Sequence, residues 1–217
     1  MLQVKDRDLV IPGQIIGENL RHDLNCFHEG DNVYSSVHGI VRFEENRVKV
    51  IPSTGWYVPK EGDLVIGVIT DVGTGYWPVD IRSPYMCTIR GEEMTRDPQS
   101  VDLSRYFKAG EVISAKITDV DEVNSCLLTR PWKLEGGIII EVNPKRVPRV
   151  VGKKKSMLNI IRDHTGTKIV VGQNGWIWIK GDNTELAIKA IKKVEREAQT
   201  QGLTDRIIEM LEKEAGK

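Results

Sequence analysis

Residues 147–181 read VPRVVGKKKSMLNIIRDHTGTKIVVGQNGWIWIKG, and this tract decides the fold of the C-terminal half. Gly152 and three lysines, Lys153, Lys154 and Lys155, open a run in which Met157, Leu158, Ile160 and Ile161 recur at helical spacing. Ser156 is placed to cap the start of that helix and Gly166 to close it. Residues 168–171 and 176–180 read as two strands joined through Gly172-Gln173-Asn174-Gly175, where Asn-Gly is a strong hairpin signal. A basic loop feeding a helix N-terminus offers backbone N–H groups, a favourable dipole and fixed positive charge to a phosphate.

Working outward, residues 138–142 predict a strand and 144–151 a short helix leading into the basic loop. Downstream, Asn183 or Thr184 starts a helix with Leu186, Ala187, Ala190, Ile191 and Val194 on one face. A last amphipathic helix over 204–214 carries Ile207, Ile208 and Leu211. Residues 136–217 therefore form a mixed α/β domain of order β-α-α-β-β-α with one extra C-terminal helix. Upstream, residues 58–131 hold five strands (64–69, 76–81, 86–90, 111–120 and 126–129) with glycines at the bends, which predicts a five-stranded OB-type barrel. Residues 1–57 are short strands broken by turns, with 41–43 and 47–51 forming a hairpin around Glu44-Glu45-Asn46. They read as a small all-β module, marginal alone.

The chain has 217 residues, enough for more than one domain, and its 31 basic and 31 acidic residues cancel. Bulk charge therefore announces no nucleic-acid partner, but its distribution does. Between 145 and 168 stand Lys145, Arg146, Arg149, Lys153, Lys154, Lys155, Arg162 and Lys168 against Asp163 alone. Residues 58–131 carry twelve acidic and eight basic groups. The cysteines Cys26, Cys87 and Cys126 are odd in number and widely spaced, which predicts free thiols in a reducing cytoplasm. No apolar leader precedes the first strands and no apolar run approaches the ~20 residues of a membrane span, so a soluble cytoplasmic protein is expected.

Several constellations have the residue types that carry chemistry. The basic loop is assigned to phosphate contact, with Lys153, Lys154, Lys155 and Arg149 neutralising backbone charge beside Gly152. In the barrel, Tyr76 and Trp77 are candidate base-stackers, with Arg82, Arg90 and Arg96 as nearby charge; core packing is an equal reading for Trp77. Trp176 and Trp178 alternate on one strand and share a face, expected to pack as core on the helices in preference to stacking on bases. His22, Cys26 and His28 lack a fourth ligand at zinc-like spacing, so no metal is expected. There is no phosphate-binding Walker motif, dinucleotide fingerprint or nucleophile elbow, and Glu92-Glu93 and Asp119-Asp121 read as ordinary acidic turns. No catalytic residue and no cofactor are assigned.

The order of residues 136–217 is that of a type I K-homology (KH) domain, whose loop clamps a single-stranded nucleic-acid backbone. Taken with the motifs Gly30-Asp31-Asn32-Val33-Tyr34-Ser35-Ser36, Pro59-Lys60-Glu61-Gly62-Asp63-Leu64-Val65-Ile66-Gly67, Val79-Asp80-Ile81-Arg82-Ser83-Pro84-Tyr85 and Gly172-Gln173-Asn174-Gly175-Trp176-Ile177-Trp178, nearly the whole chain resembles the RNA-binding cap subunits of the archaeal exosome. The resemblance implies an N-terminal β module (1–57) that docks on a ring of RNase-PH-like proteins, an S1-type barrel (58–131) and a KH domain (136–217). It further implies a non-catalytic subunit, three to a ring, that captures single-stranded RNA and feeds it to the pore for 3′-to-5′ degradation, with a preference for A-rich tails. Two positions depart from the patterns of these domains. Lys155 stands where KH loops of G-x-x-G type carry glycine, and Thr74 where S1 barrels often carry an aromatic. The alternative reading is a stand-alone RNA-binding regulator without a ring partner.

Overall fold

The computed structural model describes residues 2–44, 47–53, 55–198, 200 and 202–215. The chain divides into two compact units, 1–55 and 56–217. The first holds seven short strands: β1 (Leu9–Val10), β2 (Ile15–Glu18), β3 (Arg21–His22), β4 (Cys26–Glu29), β5 (Asn32–Ser35), β6 (Gly39–Glu44) and β7 (Arg47–Pro52). They form a sheet of order β1-β6-β7-β3 and a second of order β2-β5-β4. The expected hairpin is β6–β7, antiparallel from Gly39↔Pro52 to Glu44↔Arg47; Glu45 and Asn46 of its turn lie outside the described residues. Val10, Ile16, Val33, Val41 and Val48 fill the core between the sheets. Strands β3 and β4 escaped the sequence reading because their side chains are largely exposed and leave no apolar alternation.

In the second unit, β8 (Leu64–Ile69), β9 (Tyr76–Asp80), β10 (Cys87–Arg90), β11 (Val112–Val120) and β12 (Cys126–Lys133) close into a barrel of order β10-β12-β11-β8-β9. Alternation directs Val65, Trp77, Val79, Ile89, Ile113 and Leu128 inward. Tyr57 seals the barrel core; its hydroxyl donates to Asp63 Oδ2 at 2.7 Å, and burial together with that bond pushes its pKa far up.

The KH part follows: β13 (Ile138–Glu141), α1 (Val147–Val151), α2 (Ser156–Thr165), β14 (Lys168–Val171), β15 (Trp176–Lys180), α3 (Thr184–Arg196) and α4 (Leu203–Ala215). Its sheet is antiparallel in the order β13-β15-β14, as expected for the β-α-α-β-β-α arrangement. Ile169, Ile177 and Ile179 pack on the helices through Ile161, Ala190, Ile191 and Ile207.

Two expectations are corrected here. Cys87 and Cys126 are not free thiols but a disulfide, with Cα atoms 4.7 Å apart. They sit directly opposite in the parallel pair β10–β12, a proximity that 39 residues of linear spacing conceals. Cys26 remains a thiol, its pKa raised by burial. Trp176 and Trp178 do share a face, but it is the face turned from the helices. Trp178 is buried against Ile66 and Leu134 of the barrel segment, with Trp176 packed alongside.

That sheet face is held to the barrel by the 172–175 turn. Strand β8 pairs with β9 only at Val68↔Asp80 and Ile69↔Val79, so its first half has no strand on that side. Asn174, fully buried, occupies the split. Its Nδ2 donates to Ile66 O (2.7 Å) and Ile81 O (2.8 Å), and its Oδ1 accepts from Ile66 N (3.2 Å). The Gln173 amide donates to Leu64 O at 2.8 Å. Gly172 is required by proximity: a Cβ there would lie 2.8 Å from Ile66 N and collide with the Asn174 carboxamide. Asn174→Ala should therefore strand three buried backbone groups and destabilise the unit by about 3 kcal/mol or more. Urea unfolding of the full chain checks this.

Candidate nucleic-acid interface

Three exposed lysines follow α1 in the loop before α2. Gly152 ends α1 at φ +74°, and a Cβ there would lie 2.7 Å from Met157 N and 2.9 Å from Met157 Cβ. Glycine alone satisfies both the backbone angle and the approach. Lys153 begins a single 3-10 turn, and Lys154 (φ +53°) and Lys155 (φ +64°) both adopt the left-handed region. Lys155 holds the N-cap position of α2, and no side chain bonds to the helix start there. Ser156 is thus not the cap; at φ −58° it already belongs to the first turn, too late to fold back. Gly166 closes α2 as expected, in the left-handed conformation, its N–H donating to Arg162 O.

The loop therefore presents three ammonium groups at an α-helical N-terminus whose first turn contains no acidic residue. Arg149, exposed on the preceding helix, reaches back to Thr200 O at 3.4 Å, so it borders this charge from the α4 side. The cost of the arrangement is conformational. Left-handed backbone at a non-glycine residue costs ~1–2 kcal/mol each, and the loop carries two such residues in succession.

The barrel candidates separate. Tyr76 is 45% exposed, its ring lying over the Gly73 backbone. Trp77 is fully buried, donating Nε1–H to Phe107 O at 3.2 Å and meeting the Phe107 ring edge-on at 5.6 Å. Adjacent residues on a strand face opposite sides, so the two cannot stack bases together; Trp77, expected equally as stacker or core, is core. Arg90 pairs directly across from Tyr76 and is exposed, which brings an aromatic and a cation side by side. Arg82, at φ +57°, is instead engaged with Glu141 at 2.6 Å and joins the barrel to β13. Arg96 stands exposed in the segment after the 3-10 turn Gly91–Glu93, without an ion pair among the described residues. Among the described residues no cluster of His, Cys, Asp and Glu could hold a metal, and the His22 and His28 rings meet at a 52° tilt with centres 4.6 Å apart.

Sequence reasoning passed over an exposed aromatic at the barrel's edge. Trp132 is 68% exposed and Tyr106 37% exposed beside a groove of about 590 Å³ between the barrel segment and the KH sheet. The only sequence signal is the break in alternation at Arg130-Pro131-Trp132.

A five-stranded barrel bolted to a KH domain, with cations exposed on both and aromatics exposed on the barrel, defines a nucleic-acid-binding protein of S1–KH type. A family profile described as a KH domain matches residues 137–185. Exosome complex component Rrp4 of Thermococcus kodakarensis is 43% identical over 96% of this chain and 86% of its own length. The Methanothermus fervidus protein of the same name is 42% identical over 97% of this chain and 98% of its own length. A crystal structure assigned as an exosome complex RNA-binding protein superposes with a TM-score of 0.66 at 39% identity, covering 74% of this chain and 97% of that one. The chain belongs to the Rrp4 family of exosome components.

The left-handed lysines make a direct prediction. Lys155→Gly should relieve strain and stabilise the second unit by about 1 kcal/mol, offset in part by the greater freedom of glycine in the unfolded chain. Thermal unfolding should show a higher midpoint, even though the variant has lost a charge.

Proposed function

We propose that this chain is a non-catalytic RNA-binding cap of the exosome. It captures single-stranded RNA and delivers it to a ring of RNase-PH-like subunits, which carry out the 3′-to-5′ degradation. The observation that carries the reading is the joining of two candidate RNA-contacting surfaces in one unit, Tyr76 with Arg90 on the barrel and Lys153–Lys155 on the KH loop. The family supports it: relatives of nearly full-length similarity are named as exosome components.

In this reading the three domains divide the work. The N-terminal β module, 1–57, docks on the ring, and its exposed Leu9, Ile11 and Leu24 supply apolar surface suited to such a contact. The S1-type barrel, 58–131, lines the pore mouth, and the KH domain, 136–217, grips backbone phosphates. Three copies around one pore raise the effective RNA concentration, so individually weak sites act together. Affinity would be largely sequence-tolerant, with A-rich tails favoured through stacking on aromatics, and the complex would work in the cytoplasm.

Two experiments test this. Replacing Lys153, Lys154 and Lys155 together by alanine should weaken binding of a single-stranded RNA and flatten the salt slope by about 2, from ~0.7 per phosphate contact. Affinity titrations across a salt series read both quantities, and an unchanged slope would remove the loop from the interface. Affinity capture of the tagged chain from its native lysate should recover RNase-PH-like subunits with phosphate-dependent 3′-to-5′ activity. Recovery of the chain alone, or with ribosomes, would favour a stand-alone regulator.

A further inference from the structure

The groove between barrel and KH sheet is built by features with no evident packing purpose. Strand β12 bulges against β11: Ser114 pairs with Trp132 and Lys116 with Thr129, leaving Arg130 and Pro131 opposite one residue. Arg130 lies at φ +50°, a left-handed conformation that costs free energy in a non-glycine residue. Glu93 secures it, its Oε2 accepting from Thr129 Oγ1 at 2.8 Å and from Arg130 N at 2.9 Å. A bulge re-aims the side chains that follow it. Here the following side chain is Trp132, turned out to solvent at 68% exposure.

The facing wall is basic. Lys168 and Lys180 are directly opposed across β14 and β15, on the face that carries Trp178. Like charges in direct register oppose each other, an arrangement that an anion between them would relieve. Lys168 Nζ stands 6.0 Å from the Trp178 ring centre and has no ion-pair partner among the described residues. Lys180 Nζ donates to the Glu135 backbone carbonyl at 2.9 Å, which holds the ammonium in the groove without cancelling its charge. The groove's other lysine, Lys133, is ion-paired with Glu111 at 2.8 Å and Glu135 at 3.5 Å, and the Lys133–Glu111 bond holds the Glu111 pKa down. A stacking face opposite an unneutralised lysine pair matches a nucleotide: base on one side, phosphate on the other.

From this geometry we infer that the groove is a second subsite for single-stranded RNA, with Trp132 stacking a base and Lys168 and Lys180 holding the adjoining phosphate. It rests on the RNA-binding reading above and extends it to a surface outside the basic loop. The Glu93 contacts link it to the Tyr76–Arg90 pair, because Glu93 belongs to the 3-10 turn that directly follows Arg90.

The test is binding of a fluorescently end-labelled 20-nucleotide oligoadenylate to the full chain across a salt series. Trp132→Ala should weaken binding about tenfold without changing the salt slope, and Trp132→Phe should restore most of it. Lys168→Ala with Lys180→Ala should flatten the slope by about 1. Trp132 is exposed, so unfolding midpoints of its variants should match the parent. If the parent binds and the loop triple-alanine variant binds less, while Trp132→Ala binds like the parent, the subsite is overturned and the cap reading stands. If Trp132→Ala instead loses only co-purifying ring subunits, the surface is a protein contact and the inference fails. No binding by the parent chain would overturn both readings.

Discussion

One buried carboxamide holds the second unit together. Asn174 fills the split where β8 diverges from β9, and its three hydrogen bonds satisfy backbone groups that the short β8–β9 pairing leaves without a strand partner. The same side chain belongs to the KH hairpin, so completing the backbone bonds of β8 and joining the two domains are one and the same contact. A fully satisfied amide in a dry site is worth more than its count of bonds suggests, because each partner would otherwise be buried without one. Trp178 and Leu134 add apolar contact beside it, but apolar contact alone does not fix a register. The polar bonds specify which residue of the turn meets which residue of the strand.

Electrostatics follow the same division between local and global. With equal numbers of acidic and basic residues, the protein exerts little long-range pull on a polyanion. What it offers is concentrated at short range: three lysines on one loop and two opposed lysines on one sheet face. The loop is held in a backbone conformation that costs free energy before any ligand arrives, and the opposed lysines are fixed in register by regular strand pairing. Such charge is already organised when a phosphate approaches, so less ordering entropy is lost on binding.

The sequence was legible wherever periodicity and turn chemistry agreed. The five barrel strands, the β-α-α-β-β-α order and the closing role of Gly166 all follow from alternation, helical spacing and glycine placement. The errors share a physical origin. Periodicity says which side chains share a face, not what that face meets, so it places Trp176 and Trp178 against the helices, whereas they lie on the barrel side. It also says that neighbours on a strand oppose one another, a rule that should have separated Tyr76 from Trp77 at once. The cysteine pair depends on a parallel register between strands far apart in the chain, and no local pattern records it. Asn174 was read as a turn-former through its Asn-Gly step. Its larger role lies in a side chain reaching residues 108 and 93 positions away.

The consecutive left-handed lysines restrict how the loop's sequence can drift. At Lys154 and Lys155 the backbone excludes β-branched side chains far more strongly than glycine or asparagine. Valine, isoleucine and threonine are thereby disfavoured at two successive positions, whereas arginine keeps both the shape and the charge, and glycine or asparagine keeps the shape and sheds the charge. Over evolutionary time the loop's geometry can outlast its charge, so its shape alone is no record of the ligand it serves.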